Sequence, residues 1–211
     1  MEIINPQNEW WEKNVKSRYN EFVSWLGNNQ NSTRLWIKDF IINNGVKSIL
    51  DTACGPCIDY EVLKPTCIKY SGIDSTSVLV DMAKLRGIDV SHGNIEELPF
   101  NDNSFDMVYG RHILEHLEYY EKAIKESVRC SKKYVAYTFF LEHKDEDIFR
   151  VNEGAYANSY NLNKMRDFIQ SLGCMPLMVK YPVFGNQSII IIEKHSVMDV
   201  KFVEGGNHGN K

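Results

Sequence analysis

The stretch Ser48-Ile-Leu-Asp-Thr-Ala-Cys-Gly-Pro-Cys-Ile-Asp59 restricts the possible folds more than any other part of the chain. Apolar Ile49 and Leu50 lead into a carboxylate at Asp51, Ala53-Cys54-Gly55-Pro56 make a small-residue turn, and a helix-compatible segment follows. Strand, acidic end, glycine turn and helix is the layout of a nucleotide-binding crevice at the carboxyl edge of a parallel sheet. Gly55 suits such a turn because a residue without a Cβ lets a ligand approach the backbone. The same residues spell Cys54-Gly-Pro-Cys57, the pattern of thioredoxin-like dithiols. These are two unrelated chemistries, and the rest of the sequence has to separate them.

Bulk properties remove several classes. The 211 residues suit one domain with at most a small appendage. Charged residues at 25% and apolar residues at 43% match an ordinary globular protein. A net charge of −4 gives no global attraction to nucleic acid or anionic membrane, so neither is expected as a partner. The longest apolar candidate, Ile189 to Ile192, is strand-sized, against the roughly 18–20 residues of a membrane span. Met1-Glu2-Ile3-Ile4-Asn5-Pro6 lacks the basic start and apolar core of a signal peptide. Five scattered cysteines suit a reducing compartment, so a soluble, cytoplasmic protein is expected.

Residues 5–44 read as helical, with Trp10, Trp11, Asn14, Val15, Arg18, Tyr19, Phe22 and Leu26 recurring every three or four positions. Gly27-Asn28-Asn29 breaks that helix, and a second runs from a Ser32 or Thr33 cap to Asn43-Asn44-Gly45. The aromatic stripe either packs on the main domain or forms part of a lid. The expected division is a helical cap over 1–44, a main domain over 45–194 and a flexible tail over 195–211. In the main domain strands are predicted at 47–51, 68–73, 88–91, 105–109 and 134–139, with helical segments between them. A helical region starts near His112, breaks, and restarts near Glu118–Glu121. The 141–161 connection is longer than ordinary loops and is expected to be functional or partly helical. Met175–Tyr181 and Ser188–Glu193 read as a hairpin around a Pro/Gly/Asn turn. Five strands alternating with helices, then a hairpin, describe a doubly wound α/β domain.

The turn after Asp51 lacks the three glycines of a pyrophosphate fingerprint, and no Lys-Ser or Lys-Thr follows as in a phosphate loop. A nucleoside with a zwitterionic side chain fits better than a dinucleotide or a triphosphate, because an acidic strand end can meet an ammonium. Asp74 lies 23 positions after Asp51 at the end of strand two, where a carboxylate can accept both ribose hydroxyls. Asn94, after strand three, can meet an adenine amino group, and Ile95 can line the ring face.

Taken with Leu98-Pro99-Phe100, Ser104-Phe105-Asp106-Met107-Val108 and Ile113-Leu114-Glu115-His116-Leu117, these blocks are identified by their order over about residues 46–140. The chain resembles the class I S-adenosylmethionine-dependent methyltransferases of the small-molecule, ubiquinone-biosynthesis-like superfamily. The resemblance implies an α/β, Rossmann-like, doubly wound seven-stranded sheet with a terminal antiparallel β-hairpin, preceded by N-terminal helices. It implies S-adenosyl-L-methionine as cofactor, held by Asp51, Thr52, Ala53, Gly55, Asp74, Ser75, Asn94, Ile95, Gly110 and Arg111. It also implies O- or N-methylation of an unidentified small-molecule acceptor. Cys57 stands where the family usually has a second glycine, and Asn94 where it often has Asp.

His112 and His116 follow strand four, where the acceptor should stand, and are the candidate general bases. If that segment is helical, His112, Glu115 and His116 share one face and can hold a divalent metal. Some relatives hold a metal with Glu-x-x-Glu-His here; this chain has His in place of the first Glu, so the metal is left open. The same letters match the His-x-x-Glu-His of inverted zinc peptidases, but no third-ligand helix follows. Tyr109 would line the methionine end, with Phe149, Tyr156 and Tyr160 as acceptor wall, His143 and Glu142 at the rim, and Arg111 or Arg150 for an acidic acceptor. Tyr109-Gly110-Arg111-His112 replaces the Asn-Pro-Pro-aromatic motif of nucleobase amino methylation. Two other readings remain: a catalytically weak cofactor-binding or partner subunit, and a metal-assisted ribose- or catechol-type O-methyltransferase. Nothing supports Cys54 as a redox catalyst beyond the motif itself, although a reversible Cys54–Cys57 disulfide that spoils the cofactor site is conceivable.

Overall fold

The computed structural model describes residues 6–28, 31–152, 154–180 and 187–194. Two N-terminal helices, α1 (Pro6–Asn28) and α2 (Asn31–Asn43), precede β1 (Ser48–Thr52) and the short α3 (Ile58–Leu63). Then come β2 (Lys69–Asp74), α4 (Ser77–Leu85), β3 (Val90–His92) and β4 (Phe105–Arg111). After β4 follow α5 (Glu121–Cys130), β5 (Ser131–Phe139), the two-residue strands β6 (Val151–Asn152) and β7 (Ala155–Tyr156), and α6 (Leu162–Ser171). The chain closes with β8 (Cys174–Lys180) and β9 (Ser188–Lys194).

Seven strands form one sheet in the order β3-β2-β1-β4-β5-β9-β8. The first five are parallel, whereas β9 is antiparallel to β5 and β8 antiparallel to β9, the expected terminal hairpin. Side chains of a strand point alternately to its two faces. Ile49, Met107, Tyr109 and Ala136 therefore join one apolar cluster with Ile37 and Ile41 of α2, while Leu50, Val108 and Val135 join the other with Ile124 of α5 and Ile169 of α6. Ile49, Leu50, Met107 and Val108 are fully buried, and burial of such a side chain stabilises by about 1.5–3 kcal/mol. Burial on both faces explains why these strands read as apolar runs rather than alternating ones.

β1 pairs with β2 on one side and β4 on the other, so strand order reverses there. A crevice opens beyond the carboxyl ends of strands at such a switch point. Three expectations change. The 141–161 connection contains the β6–β7 hairpin rather than a helix, with Ile148 and Ser159 bridged at its base. His112 does not begin a helix: its φ is 51°, and its N–H donates to Thr138 O at 2.9 Å, continuing the β4–β5 ladder one residue further. Helix α2 starts at Asn31, so Thr33 lies inside it rather than capping it. Residue 29, the hairpin turn at 181–186 and the tail at 195–211 lie outside the described residues.

Candidate functional site

The turn after β1 alternates in handedness: Ala53, Gly55 and Cys57 have φ of 56°, 53° and 57°. A left-handed residue costs roughly 1–2 kcal/mol when it carries a Cβ, so Ala53 and Cys57 are strained where Gly55 is not. Asp74, at the end of β2, holds the turn in place. Its carboxylate accepts from the Gly55 N–H at 2.8 Å and the Thr76 N–H at 2.8 Å, which joins the β1 turn to the start of α4. Burial pushes the Asp74 carboxyl above its ordinary range, and those N–H donors oppose the rise.

A cavity of about 290 Å³ opens over this turn. Its floor includes four charged side chains, Asp51, Asp59, Arg34 and Arg111, all nearly inaccessible to water. Asp59 receives Arg34 Nε at 3.1 Å and Arg111 Nε at 3.2 Å, so one carboxylate lies between two guanidinium groups. Arg111 also donates to Thr33 Oγ1 at 2.9 Å, binding the end of β4 to α2. Asp51 instead accepts from the Tyr70 hydroxyl at 2.7 Å. Burial, then the charge of Asp59, lifts the Asp51 carboxyl well above its ordinary range. A cation arriving beside Asp51 would favour its ionised form.

The other wall carries Trp11 and Val15 from α1, with His112, His116, Ile113 and Phe140. The ring of His116 meets Trp11 edge-on at 5.3 Å between centroids, and Phe140 lies against His112 and His116 at 5.2 and 5.5 Å. His116 Nδ1 is 2.7 Å from the Tyr156 carbonyl oxygen. A carbonyl only accepts, so Nδ1 carries the proton and Nε2 keeps a lone pair. Burial lowers the His116 imidazole pKa, and burial with the nearby Arg111 charge lowers that of His112 much further. Both rings are neutral near pH 7. Helix α1 is held over the cavity by the Ser77 N–H, which donates to the Glu12 carboxylate, and by Trp10, which packs on Gly154.

Of the residues singled out in the sequence, Asp51, Ala53, Gly55, Asp74, Ser75, Arg111, His112 and His116 line this cavity. Asn94 and Ile95 line an adjoining one of about 50 Å³, which shares Trp11, Asp74, Ser75 and His116 with the first. The Asn94 side-chain oxygen already accepts from the Glu96 N–H at 2.9 Å, so it has one lone pair left for a ligand. Thr52 and Gly110 are behind the wall. Thr52 Oγ1 donates to Tyr109 O at 3.0 Å, and a Cβ on Gly110 would come within 2.7 Å of the Tyr137 ring. Tyr109 and Tyr160 are core residues, and Tyr160 donates to the carbonyls of Leu114 and Leu117. Phe149 is half exposed, and Arg150 and Glu142 are exposed or at the surface. His143 pairs with Ser188 Oγ at 2.7 Å, away from the cavity.

The trio His112, Glu115 and His116 does not share a helix face. Leu114–His116 is a single 3-10 turn, and Glu115 points inward, accepting from the Phe140 N–H at 2.7 Å. Among the described residues no three His, Cys, Asp or Glu side chains converge on one point suited to a metal ion. Sequence reasoning missed Arg34 and Asp59 as site residues. Only the tertiary pairing of α2 with α3 and β4 reveals them.

Comparison with known proteins gives the same picture. Residues 50–136 match the family described as a methyltransferase domain. Over 133 residues the chain is 27% identical to demethylmenaquinone methyltransferase of Staphylococcus aureus, covering 57% of this chain and 54% of the relative. The chain thus spans about half the length of the curated relatives it matches. In fold it resembles magnesium protoporphyrin IX methyltransferase from Synechocystis with bound S-adenosylhomocysteine: TM-score 0.70, 12% identity, 89% of this chain and 98% of the other. A possible histamine N-methyltransferase from Thermotoga maritima superposes with TM-score 0.66 at 16% identity, covering 90% of this chain and all of the other. Matched domain, strand order and crevice agree: residues 50–136 match a methyltransferase domain, and the fold is similar to that of solved S-adenosylmethionine-dependent methyltransferases.

Proposed function

We propose that the protein methylates a small molecule at an oxygen or nitrogen, with His116 as the general base. The observation that carries this is the His116 Nδ1 contact to the Tyr156 carbonyl at 2.7 Å, which fixes the tautomer and leaves a basic Nε2 on the wall common to both cavities. Bound S-adenosyl-L-methionine supplies an electrophilic methyl on a sulfonium sulfur. The protein's part is alignment, exclusion of water and removal of the acceptor proton.

Asp74 is the ribose partner, Asn94 and Ile95 the adenine side, and Asp51 the partner of the ammonium. Arg34 and Arg111 face the carboxylate end, with Asp59 holding both in place. His112, more deeply buried, is the second candidate base. The apolar wall of Trp11, Val15 and Phe140 favours a flat or apolar acceptor. Likeness to a demethylmenaquinone methyltransferase makes quinol-type rings the first acceptors to try.

The test is product formation with a panel of phenolic, quinol and amine acceptors, beside calorimetry with S-adenosylhomocysteine. His116→Gln should keep donor affinity and lose about 10²–10⁴ in kcat. The base must be neutral to act, so the acid limb of kcat/KM should fall below the ordinary histidine value of about 6.5. Unchanged turnover in His116→Gln would end the assignment.

A further inference from the structure

The Cys-Gly-Pro-Cys motif has no part in the mechanism above, yet its two thiols are arranged as a pair. The Cys57 N–H donates to the Cys54 carbonyl at 2.9 Å, so residues 54–57 form a closed four-residue turn. Such a turn brings its end Cα atoms within about 7 Å, near the 4.4–6.8 Å that a disulfide spans. Both thiols are free: Cys54 lies on the wall of the donor cavity and Cys57 is fully buried behind it. We propose that Cys54 and Cys57 are a peroxide-oxidisable dithiol, and that the disulfide between them closes the donor site to S-adenosyl-L-methionine.

The placement gives each sulfur a role. Cys54 is the one that a small oxidant in the cavity can reach, and Cys57 is the one that resolves. Cys57 Sγ donates to the Gly55 carbonyl at 3.7 Å. The neighbouring Cys57, then burial, pushes the Cys54 thiol well up, while the influence of Cys54 holds Cys57 below the ordinary thiol range. The pair therefore loses one proton readily and shares the other. On attack, the shared proton passes to Cys57 and Cys54 Sγ displaces hydroxide from hydrogen peroxide, giving a sulfenic acid. Cys57 Sγ then bonds to Cys54 Sγ, and the displaced hydroxyl leaves with the remaining thiol proton as water. The dithiol loses two electrons, and peroxide is reduced to water and hydroxide.

Closure follows from what the turn holds. An S–S bond of about 2.05 Å draws the two ends of the turn together. Gly55 lies between them, and its N–H is one of the two backbone donors that hold the Asp74 carboxylate. Cys54 Sγ occupies the space beside Gly72 that a side chain there would fill, 2.9 Å from where its Cβ would stand, so β2 backs the sulfur. The strain must therefore move the Ala53–Gly55 segment, which lines the cavity.

The inference rests on this cavity being the S-adenosyl-L-methionine site, and the two ideas fail differently. A Cys67→Ala protein, lacking the exposed thiol, is reduced, treated with hydrogen peroxide and peptide-mapped. The fragment holding both cysteines should lose two hydrogens, S-adenosylhomocysteine affinity by calorimetry should fall at least about tenfold, and dithiothreitol should restore it. Cys57→Ser in the same background should form no disulfide, its peptide gaining oxygen at Cys54 instead of losing two hydrogens. Should that variant not fold, saturating S-adenosylhomocysteine must slow disulfide formation in the Cys67→Ala protein, because it covers Cys54. Failure of the reduced protein to bind would strike the site reading, since mapping uses no ligand. Retention of both thiols under peroxide, a disulfide without change in affinity, or no protection by S-adenosylhomocysteine would each overturn the proposal.

Discussion

Replacing Glu115 by glutamine should change how stability depends on pH, not only its size. Glu115 is 1% exposed. Its Oε1 accepts from the N–H groups of Phe140 and Leu141 at 2.7 and 3.5 Å, while Oε2 has no hydrogen-bond partner among the described residues. Burial pushes the carboxyl from an ordinary 4.5 to about 7. Between those values the folded protein keeps a proton that the unfolded chain has released. Stability must therefore fall as pH rises through that window, by about 3 kcal/mol in all, and stay lower above it. Glutamine keeps an oxygen for the Phe140 N–H but does not titrate. Its NH₂ group takes the place of Oε2, and failing to find a partner there costs about 1–3 kcal/mol at every pH. Urea unfolding of both proteins from pH 4.5 to 8 separates the constant offset from the slope. The difference should swing by about 3 kcal/mol in favour of glutamine as pH rises. A difference independent of pH would show that the buried carboxyl is ionised throughout, and the reasoning would be wrong.

Two substitutions test the packing around the donor site. Asp59→Asn removes the carboxylate that buried Arg34 and Arg111 share and should cost about 3–5 kcal/mol in urea unfolding, with loss of S-adenosylhomocysteine binding; a cost below about 1 kcal/mol would mean that the guanidinium groups find water. Gly110→Ala should lower stability by about 1–3 kcal/mol, because the new Cβ meets Tyr137 ring atoms at 2.7 and 2.8 Å and the ring is tied by its hydroxyl to Ser127 at 2.6 Å; an unshifted melting temperature would refute that account.

The crevice lining is legible in the sequence because its residues sit at strand ends, where chain order and position in space coincide. Asp51 and Asp74 lie at the ends of β1 and β2, Gly55 and Asn94 follow β1 and β3 in sequence, and parallel strands deliver all such ends to one edge. The 112–116 segment was misread for the opposite reason. His-x-x-Glu-His has helical spacing, but the backbone N–H of His112 is taken by Thr138 across the sheet. A ladder bond to β5 outweighed local propensity, and nothing local to the segment announces it. Thr33 was a reasonable cap by type, yet its hydroxyl serves Arg111, a residue 78 positions away. The 141–161 connection was flagged by length alone. It meets His116 through a backbone carbonyl, Tyr156 O, and a carbonyl has no letter in a sequence.

The division of labour along the chain follows from this. The crevice floor comes from the turn after β1, the end of β2 and the segment after β3, all within the motif-bearing stretch. The opposite wall is different in origin. Trp11 and Val15 arrive from α1 and Arg34 from α2, before any motif, while the carbonyl orienting His116 comes from β7. α2 shares the apolar cluster of β1 and β4 through Ile37 and Ile41, and the Arg34–Asp59–Arg111 set joins it to the strand that delivers the histidines. α1 contributes Val15 and Trp11 over the cavity mouth and is held there by Glu12 and Trp10. Change in α1 can therefore reshape the acceptor wall while the donor turn stays as it is. Under the proposed function, the motif-bearing stretch meets the methyl donor, while the helix ahead of it and the hairpin behind it decide what is methylated.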